Sequence, residues 1–377
     1  MVLRKKLKPH HYDTRVYQNS KLNFMEIKAS ENPSDQEAWD HFVYASPLSV
    51  HYHLSGWKQI LEKTYRNTAI YLMACQSGEI QGILPLCYVR GLPSTPHLVS
   101  LPYLSYAGVC TADAEVANAL IQEARVWMQR LGAKYLEVHN IYQVDEKKIP
   151  QENHHQLFTN TDKVTMALPL PCNPDVLWKG FKAKVQNQVR KAEKSGLRVE
   201  VGGLEFLNSF YEVLAENMRD LGSPVHKVQL FQNLFQVFPN DTRIFMVYKD
   251  SQLVGGAIFL TFKDTAEVPW ASSKREFLRD CPNNLLYWEI LRYACEQGIR
   301  EFDFGRSTKD SGTYRFKKQW GAIEKPLYWQ YYLPKGSQLP DFTHVSLKSR
   351  ILIGMWKKLP LKVANALGPR IRGNISA

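Results

Sequence analysis

An internal duplication constrains the fold of this chain more than any other feature of its sequence. The segment LMACQSGEIQGILPL (72–86) aligns with FMVYKDSQLVGGAIF (245–259), and VWMQRLGAKYLEVH (126–139) aligns with RYACEQGIREFDFG (292–305). The first pair has two apolar strands around a polar turn, and the second has an amphipathic helix that ends at a glycine before an alternating strand. Because both pairs are offset by nearly the same interval of sequence, each half is predicted to fold as strands, helix and strand in one mixed sheet.

The predicted fold class is therefore α/β (α+β), with two tandem domains that each contain a mixed sheet flanked by helices. A chain of 377 residues exceeds what one core usually organises, and its 12% aromatic content excludes disorder for most of its length. We predict four parts: a basic N-terminal arm at 1–21, a first domain at 22–165, a second domain at 166–335 and a basic amphipathic C-terminal tail at 336–377.

Cysteine spacing and hydropathy indicate whether the protein binds a metal and where in the cell it is located. The six cysteines show no C-x-x-C pair and no zinc-ligand spacing, which predicts buried thiols and no metal. No apolar run approaches the roughly 18 to 20 residues that cross a bilayer. We therefore expect a cytoplasmic protein.

The net charge of +12 lies at the two ends of the chain. Residues 1–24 carry +5 and residues 342–377 carry +7, so the sequence between them is formally neutral. Nucleic-acid binding is therefore disfavoured as the main role. The C-terminal stretch mixes its cations with Trp356 and aliphatic residues, which suits contact with anionic lipid headgroups at the inner membrane face. The alternative is a terminal helix packed on the domain, and Pro360 interrupts any continuous helix.

Three segments are candidates for a functional site. The first, DVLWKGFKAKVQNQVRKAEKSGL (175–197), is predicted to be an amphipathic helix. Its basic face, with Lys184 and Arg190, is either solvated or holds a polyanionic substrate. In VSLPYLSYAGVC, Tyr103 and Tyr106 either bind substrate at the rim of the first domain or cap its core.

The third segment, REFDFGRSTKDSGTYRFKKQWGA (300–322), is the most informative. A strand ends at Gly305 and is followed by a polar loop and a short helix, and ligands usually bind at such strand ends. We expect Arg306 and Lys317 to be functional, whereas Asp303 is either functional or a solvated strand residue.

The duplicated unit resembles the N-acyltransferase fold of the GNAT superfamily. The basic KAKVQNQVRKAEKSGL helix, combined with FDFG and SGTYRFKKQWG, resembles the FemAB family, in which two such domains are joined. The sequence is most similar to FemAB-type proteins associated with exosortase and PEP-CTERM systems, including a tail similar to LPLKVANALGPRI.

This resemblance implies transfer of an aminoacyl or other acyl group to an amine of a cell-envelope or exopolysaccharide precursor at the cytoplasmic membrane face. No metal or cofactor is implied, and the donor, as co-substrate, is an aminoacyl-tRNA or an acyl thioester. Acetyl-CoA fits poorly because SSKREFLRDCPNNLLYW lacks the glycines of a pyrophosphate-binding loop. The alternative hypothesis is a catalytically silent GNAT-fold binding module in a surface-polymer or protein-sorting assembly.

The resemblance also implies roles for individual residues. Phe316 and Lys317 match the family's Phe-Lys pair, and Lys317 is expected to stabilise the oxyanion. Asp303 or Tyr314 is expected to move the amine proton. The residues expected to bind substrate are Arg306, Phe316, Lys184, Gln186, Arg190, Tyr103 and Tyr106, with Gln186 standing where many members have a cation.

Overall fold

A computed structural model describes residues 15–17, 25–91, 95–144, 155–337 and 347–375 of the protein. Most of the predicted basic arm at 1–21 lies outside the described residues. None of the described helices is long and apolar enough to span a bilayer.

The first half contains strands on both sides of one long helix. Its elements are β1 (Arg15–Tyr17), β2 (Met25–Ala29), α1 (Pro33–Ala45), a 3-10 turn (His51–His53), α2 (Gly56–Tyr65), β3 (Thr68–Gln76), β4 (Glu79–Val89), β5 (His97–Val99), α3 (Ala114–Arg130), β6 (Leu136–Asn140) and β7 (His155–Asn160). Helix α3 begins at a favourable N-cap, because the Asp113 side chain accepts from the amides of Glu115 and Val116.

The second half repeats this order and adds further helices. Its elements are β8 (Lys163–Pro169), α4 (Pro174–Gly180), α5 (Ala183–Lys194), β9 (Leu197–Gly202), a 3-10 turn (Leu204–Phe206), α6 (Leu207–Leu221), α7 (Val228–Val237), β10 (Thr242–Lys249), β11 (Gln252–Phe262), β12 (Thr265–Ser273), a 3-10 helix (Arg275–Asp280), α8 (Pro282–Glu296), β13 (Glu301–Asp303), β14 (Ser307–Thr308), α9 (Gly312–Gln319), β15 (Ile323–Pro326), β16 (Tyr328–Pro334), α10 (Leu347–Lys357) and α11 (Leu361–Arg372).

The strands form two mixed sheets. The first has the order β1-β2-β3-β4-β5-β6-β16-β7, and the second has the order β14-β8-β13-β12-β11-β10-β9, with β15 beside β8. Strand β16 belongs by sequence to the predicted second domain, but it pairs with β6 and β7 of the first sheet. The two halves are therefore joined by a strand as well as by packing.

Strand register confirms the duplication. The hairpin β3–β4 shifts register after Ala74, which pairs with Gly82. The hairpin β10–β11 shifts after Val247, which pairs with Gly255. Each irregularity thus falls at one of the two glycines that the sequence alignment superimposes. A Cβ atom at either glycine would lie 2.7 Å from a neighbouring side-chain atom. Both positions therefore require glycine, which has no Cβ atom.

The helix and strand that follow are also repeated. Helix α3 connects β5 to β6, and α8 connects β12 to β13, and both strand pairs are parallel. The pairing is short in each case, because it ends at Val99 with Glu137 and at Glu267 with Asp303. The strands separate beyond these residues, which leaves an opening in each sheet.

One apolar core is shared by the two halves. It contains Trp39 and Trp57 from the first half and Phe210, Phe231 and Trp270 from the second, all buried. Each such side chain contributes on the order of 1.5–3 kcal/mol when fully buried. The inner faces of the two sheets are thereby held together, and any polar group between them lies in an interdomain site.

The predicted helix over 175–197 is two helices, because the chain turns between α4 and α5 to bury Phe181. The Gln186 side-chain amide donates to the carbonyl oxygens of Trp178 (2.8 Å) and Phe181 (3.3 Å). This contact supplies a donor to the Phe181 carbonyl and a second donor to the Trp178 carbonyl, which also accepts from the Phe181 amide. In the tail, the break between α10 and α11 falls at Pro360, as predicted.

Candidate active site

Two carboxylates lie where β12 and β13 separate. Glu267 and Asp303 are partners in the parallel register of these strands. Strand alternation directs Phe302 and Phe304 into the core of the second half and Asp303 to the opposite face, toward the first half. The two acids therefore share one side of the sheet at its opening.

The first half supplies hydrogen-bond donors to both acids. Asp303 accepts hydrogen bonds from the Tyr106 hydroxyl, from Thr165 Oγ1 (2.5 Å) and from the Gly305 amide (2.7 Å). Glu267 Oε1 accepts from Ser105 Oγ at 3.1 Å. Tyr106 and Ser105 belong to the loop after β5, so the site is completed across the domain interface.

The electrostatic environment favours one shared proton on this pair. Burial and the neighbouring Asp303 charge raise the pKa of Glu267 to about 8. Burial also raises the pKa of Asp303, against the lowering effect of its hydrogen-bond donors. Because two close carboxylates do not both ionise readily in a buried site, the pair titrates as a unit and can accept or release a proton near neutral pH.

Lys317 lies beside the carboxylate pair. The Ser311 hydroxyl caps the first turn of α9 by accepting from the Tyr314 amide, and this helix presents Lys317 inward with only 8% of its surface exposed. Its Nζ donates to the carbonyl oxygens of Gly305 (2.8 Å) and Arg306 (3.0 Å). An ammonium has three donors, so one N–H remains for a ligand.

Burial lowers the pKa of Lys317 to about 8, while the two acids oppose this effect. Gly305 makes the arrangement possible, because its φ of +74° turns the strand end back toward the helix. A Cβ atom at Gly305 would lie 3.3 Å from Glu267 Oε1, so a side chain there would crowd the acid.

A cleft of about 490 Å³ opens at Lys317. Phe316 and Tyr287 form part of one wall, and Asn217 lies on another. The Asn217 amide donates to Ser272 Oγ at 3.0 Å, which fixes α6 against the end of β12. The cleft thus offers a mostly apolar space with an ammonium group in its lining.

Arg306 points toward the first sheet. Its guanidinium lies 4.8 Å from the centre of the Trp329 ring. Burial lowers its pKa, and the charge of Glu137 opposes this effect. Since the guanidinium forms no hydrogen bond with another described residue, its planar set of donors is available for an anionic group.

The other predicted site residues occupy different positions. The Tyr314 hydroxyl donates to Glu324 at 2.6 Å, so it is directed to β15 rather than to Asp303. The Tyr103 hydroxyl donates to the Gly373 carbonyl oxygen at 2.7 Å, so it holds the end of α11. These contacts give both tyrosines structural partners, and the proposed catalytic role is left to Asp303.

The basic face of α5 lies outside the cleft. Lys184 and Arg190 are exposed, and the Arg190 guanidinium lies 5.6 Å from the Trp178 ring centre. The Gln186 amide is occupied by backbone carbonyls. None of these three side chains of α5 therefore contacts the carboxylate pair.

Glu267 is the functional candidate that sequence reasoning missed. Its signal is present in TAEVPWASS, where an acid stands between Ala266 and Val268, two residues of the buried core. A single acid in an alternating strand is usually solvated, so only the register with Asp303 identifies it. No cluster of His, Cys, Asp and Glu suited to a metal ion occurs within the described part of the chain.

Residues 179–318 match the family described as an acetyltransferase (GNAT) domain. The crystal structure of FemX superimposes with a TM-score of 0.61 at 18% identity, covering 80% of this chain and 96% of FemX. A tandem GNAT protein from the clavulanic acid biosynthesis pathway gives 0.55 at 12% identity, with coverage of 84% and 100%. The fold is a tandem GNAT fold.

One sequence relative of this chain is named for its activity. Lipid II:glycine glycyltransferase from Staphylococcus aureus (strain MRSA252) is 21% identical over 375 residues, which covers 75% of this chain and 87% of the relative. These similarities support the predicted resemblance to FemAB-type proteins. They also support the prediction that the chain is an acyl- or aminoacyltransferase.

Proposed function

We propose that this tandem GNAT protein is a FemAB-type transferase that moves an aminoacyl or acyl group to an amine of a cell-envelope or exopolysaccharide precursor. The observation that carries the proposal is the juxtaposition of Lys317, which lines a cleft in the second half, with the buried acids Glu267 and Asp303, whose pKa values are raised. The chemistry requires a base for the amine and a cation for the developing oxyanion, and these residues supply both.

The proposed reaction begins with an acceptor ammonium, which gives one proton to the Glu267–Asp303 pair. The free amine attacks the acyl carbonyl carbon, and the remaining N–H of Lys317 donates to the oxyanion. When the tetrahedral intermediate collapses, the bond to the leaving oxygen or sulfur breaks. The leaving alcohol or thiol takes the second amine proton, and the first proton returns to solvent.

The acceptor is proposed to carry anionic groups and a lipid. The uncommitted guanidinium of Arg306, supported by the Trp329 ring, suits a carboxylate or phosphate of the acceptor. The relative that acts on lipid II, by its name, favours a lipid-linked precursor. The cytoplasmic membrane face and the link to exosortase and PEP-CTERM systems belong to the same proposal.

The start of α8 argues against acetyl-CoA as donor. A GNAT pyrophosphate site needs free backbone amides at a helix N-terminus. Here Pro282 occupies the first turn and has no N–H. The preceding Cys281 amide is committed to the Leu278 carbonyl oxygen at 3.2 Å. An aminoacyl-tRNA, or an acyl thioester that lacks the pyrophosphate of coenzyme A, is therefore the preferred donor.

The decisive experiment screens the purified protein with aminoacyl-tRNA, acyl-CoA and acyl-carrier-protein donors against amine acceptors. Where turnover is found, Lys317→Ala is expected to lower kcat/KM by about 100- to 1000-fold. Lys317→Met retains the buried stem and should lose as much, while Lys318→Ala, on the outer side of α9, is the matched control. Equal rates for Lys317→Ala and the unmodified protein would reject the assigned role.

The start of α8, which does not suit a pyrophosphate, also supports the alternative function, a catalytically silent binding module. That alternative expects saturable binding of an acceptor without product for any donor. Binding measured by calorimetry beside the donor screen separates the two functions.

A further inference from the structure

We propose that helix α10 docks the protein on an anionic lipid bilayer, next to the opening of the Lys317 cleft. The inference rests on the proposed transfer to a lipid-linked acceptor and names the surface that would bring the cleft to it. Three large apolar side chains of α10 are more than half exposed: Ile351 (55%), Leu352 (65%) and Met355 (61%). They fall within an arc of about 100° on the helix and are called the α10 apolar face below.

Charge identifies the partner of this face. Arg350, Lys357 and Lys358 are exposed beside it, and the sequence from 342 to 377 contains no acid. Large apolar side chains flanked by cations are typical of helices that lie in the interface of an anionic membrane. A purely apolar partner surface would leave these cations without counter-charges.

Helix α10 packs, by the side opposite its apolar face, against the end of α6 beside the cleft. Helix α6 ends at Gly222, where a Cβ atom would lie 2.6 Å from Ile353 Cγ2, and Arg219 Nη1 donates to the Leu359 carbonyl oxygen at 3.2 Å. The residue before Gly222 is Leu221, which lines the cleft and is 59% exposed. Leu278, also in the lining, is 49% exposed. These two leucines expose apolar surface in the lining of the cleft, and Leu221 adjoins the end of α6 on which α10 packs.

Helix α11 anchors the end of the tail. The Gly373 carbonyl oxygen accepts from the Tyr103 hydroxyl, and Arg372 Nε lies 3.2 Å from His226 Nε2. The two contacts bind the end of the tail to both halves of the molecule. Within the tail, α11 is docked on the protein, and α10 presents its apolar face outward.

The test is co-sedimentation of the full chain with vesicles of phosphatidylcholine alone or phosphatidylcholine with phosphatidylglycerol. We expect binding to the anionic vesicles that weakens as salt rises. Replacing Leu352→Ser and Met355→Ser together should weaken binding by about tenfold or more, because two side chains lose burial in the interface. The matched control is Leu204→Ser with Ile323→Ser, two exposed apolar residues on other elements, which should bind as the unmodified chain does.

Three results would overturn the proposal: no binding to anionic vesicles, equal binding by the α10 variant, or loss of binding in the control alone. Self-association that disappears in the α10 variant, without vesicle binding, would assign the face to a second copy of the chain instead. Transfer to a water-soluble acceptor fragment separates this inference from the proposed function. The α10 variant should retain that transfer, whereas Lys317→Ala should lose it while still binding vesicles.

Discussion

Asp303 and Glu137 occupy equivalent positions in the aligned segments of the two halves, yet their surroundings differ. Glu137 is paired with Val99 in the strand register, whereas Asp303 is paired with Glu267. Glu137 Oε1 also accepts from His139 Nε2 at 2.7 Å. The first half therefore holds an acid compensated by a histidine hydrogen bond, and the second half holds two carboxylates that repel each other.

The pKa directions follow from this difference. Burial raises the pKa of both Glu137 and Asp303, but His139 reverses the effect at Glu137 and lowers its pKa overall. Strand β16 closes the first opening, since Trp329 stacks on His139 at 3.8 Å between ring centres. A compensated, covered acid stabilises structure, and an acid that faces a second carboxylate beside a cleft is suited to proton transfer. The comparison assigns the chemistry to the second half.

The largest expected effect tests that assignment directly. Glu267→Gln removes the shared proton site and should lower kcat/KM for transfer by about 100- to 10,000-fold. Glu137→Gln, the equivalent change in the first half, should alter kcat/KM by less than about threefold. A large loss in both variants, measured on folded protein, would break the comparison.

The free energy of unfolding should be affected more by the change in the first half than by the change in the second. Glu137→Gln leaves His139 buried without its carboxylate partner and should lower the free energy of unfolding by about 2–4 kcal/mol. Glu267→Gln relieves repulsion and should raise it by about 1 kcal/mol at pH 8. Urea unfolding curves for both variants measure this difference. Destabilisation by Glu267→Gln as large as that by Glu137→Gln would show that the two acids are equally compensated.

The pH dependence of stability should reveal the repulsion within the Glu267–Asp303 pair. The pKa of Glu267 rises from its ordinary value of 4.5 to about 8 in the fold, so the native state binds the extra proton in that window. Stability should fall by about 3 kcal/mol as pH rises from 5 to 8. Lys317, whose pKa falls from 10.5 to about 8, makes stability recover above pH 8.

Glu267→Gln should flatten the lower part of this profile, and Glu137→Gln should leave its slope in place. The reason is that the lowered pKa of Glu137 keeps its contribution constant above its unfolded value. A slope that persists in Glu267→Gln would place the titrating proton on another group.

The smallest expected effect concerns Arg306, which lies between Glu137 of the first half and the carboxylate pair of the second. Arg306→Lys keeps a positive charge but loses the planar set of donors over Trp329. We expect KM for an anionic acceptor to rise about tenfold with kcat nearly constant. Steady-state kinetics with acceptors that carry or lack the anionic group provide the measurement, and an equal rise for both acceptors would exclude direct recognition.

Much of the fold could be predicted from the sequence because the duplicated hairpins and helices are each marked by residues that are close together in the chain. The Gly82 and Gly255 hairpins, and the helices ending at Gly132 and Gly298, each depend on neighbours that are close in sequence. The exchange of β16 into the first sheet could not be predicted, since it depends on pairing with β6, which lies in the other half of the sequence.

The site was predictable only where one segment carries it. Asp303, Arg306 and Lys317 all belong to the single segment 300–322, and the structure brings all three to the interdomain region. Glu267 and Ser105 depend on strand register and on docking of the two halves, for which the sequence has no local signal. The prediction for the basic helix rests on its charge and on the family resemblance, and the turn that buries Phe181 directs that helix away from the cleft.

The central claim is that Glu267 and Asp303 share a proton at neutral pH. Infrared difference spectroscopy of the carboxyl carbonyl band tests it, comparing the unmodified protein with Glu267→Gln/Asp303→Asn and with Glu137→Gln. We predict a protonated-carboxyl band at pH 7 that is absent from the double variant and present in Glu137→Gln. A band missing from the unmodified protein, or retained in the double variant, would contradict the account.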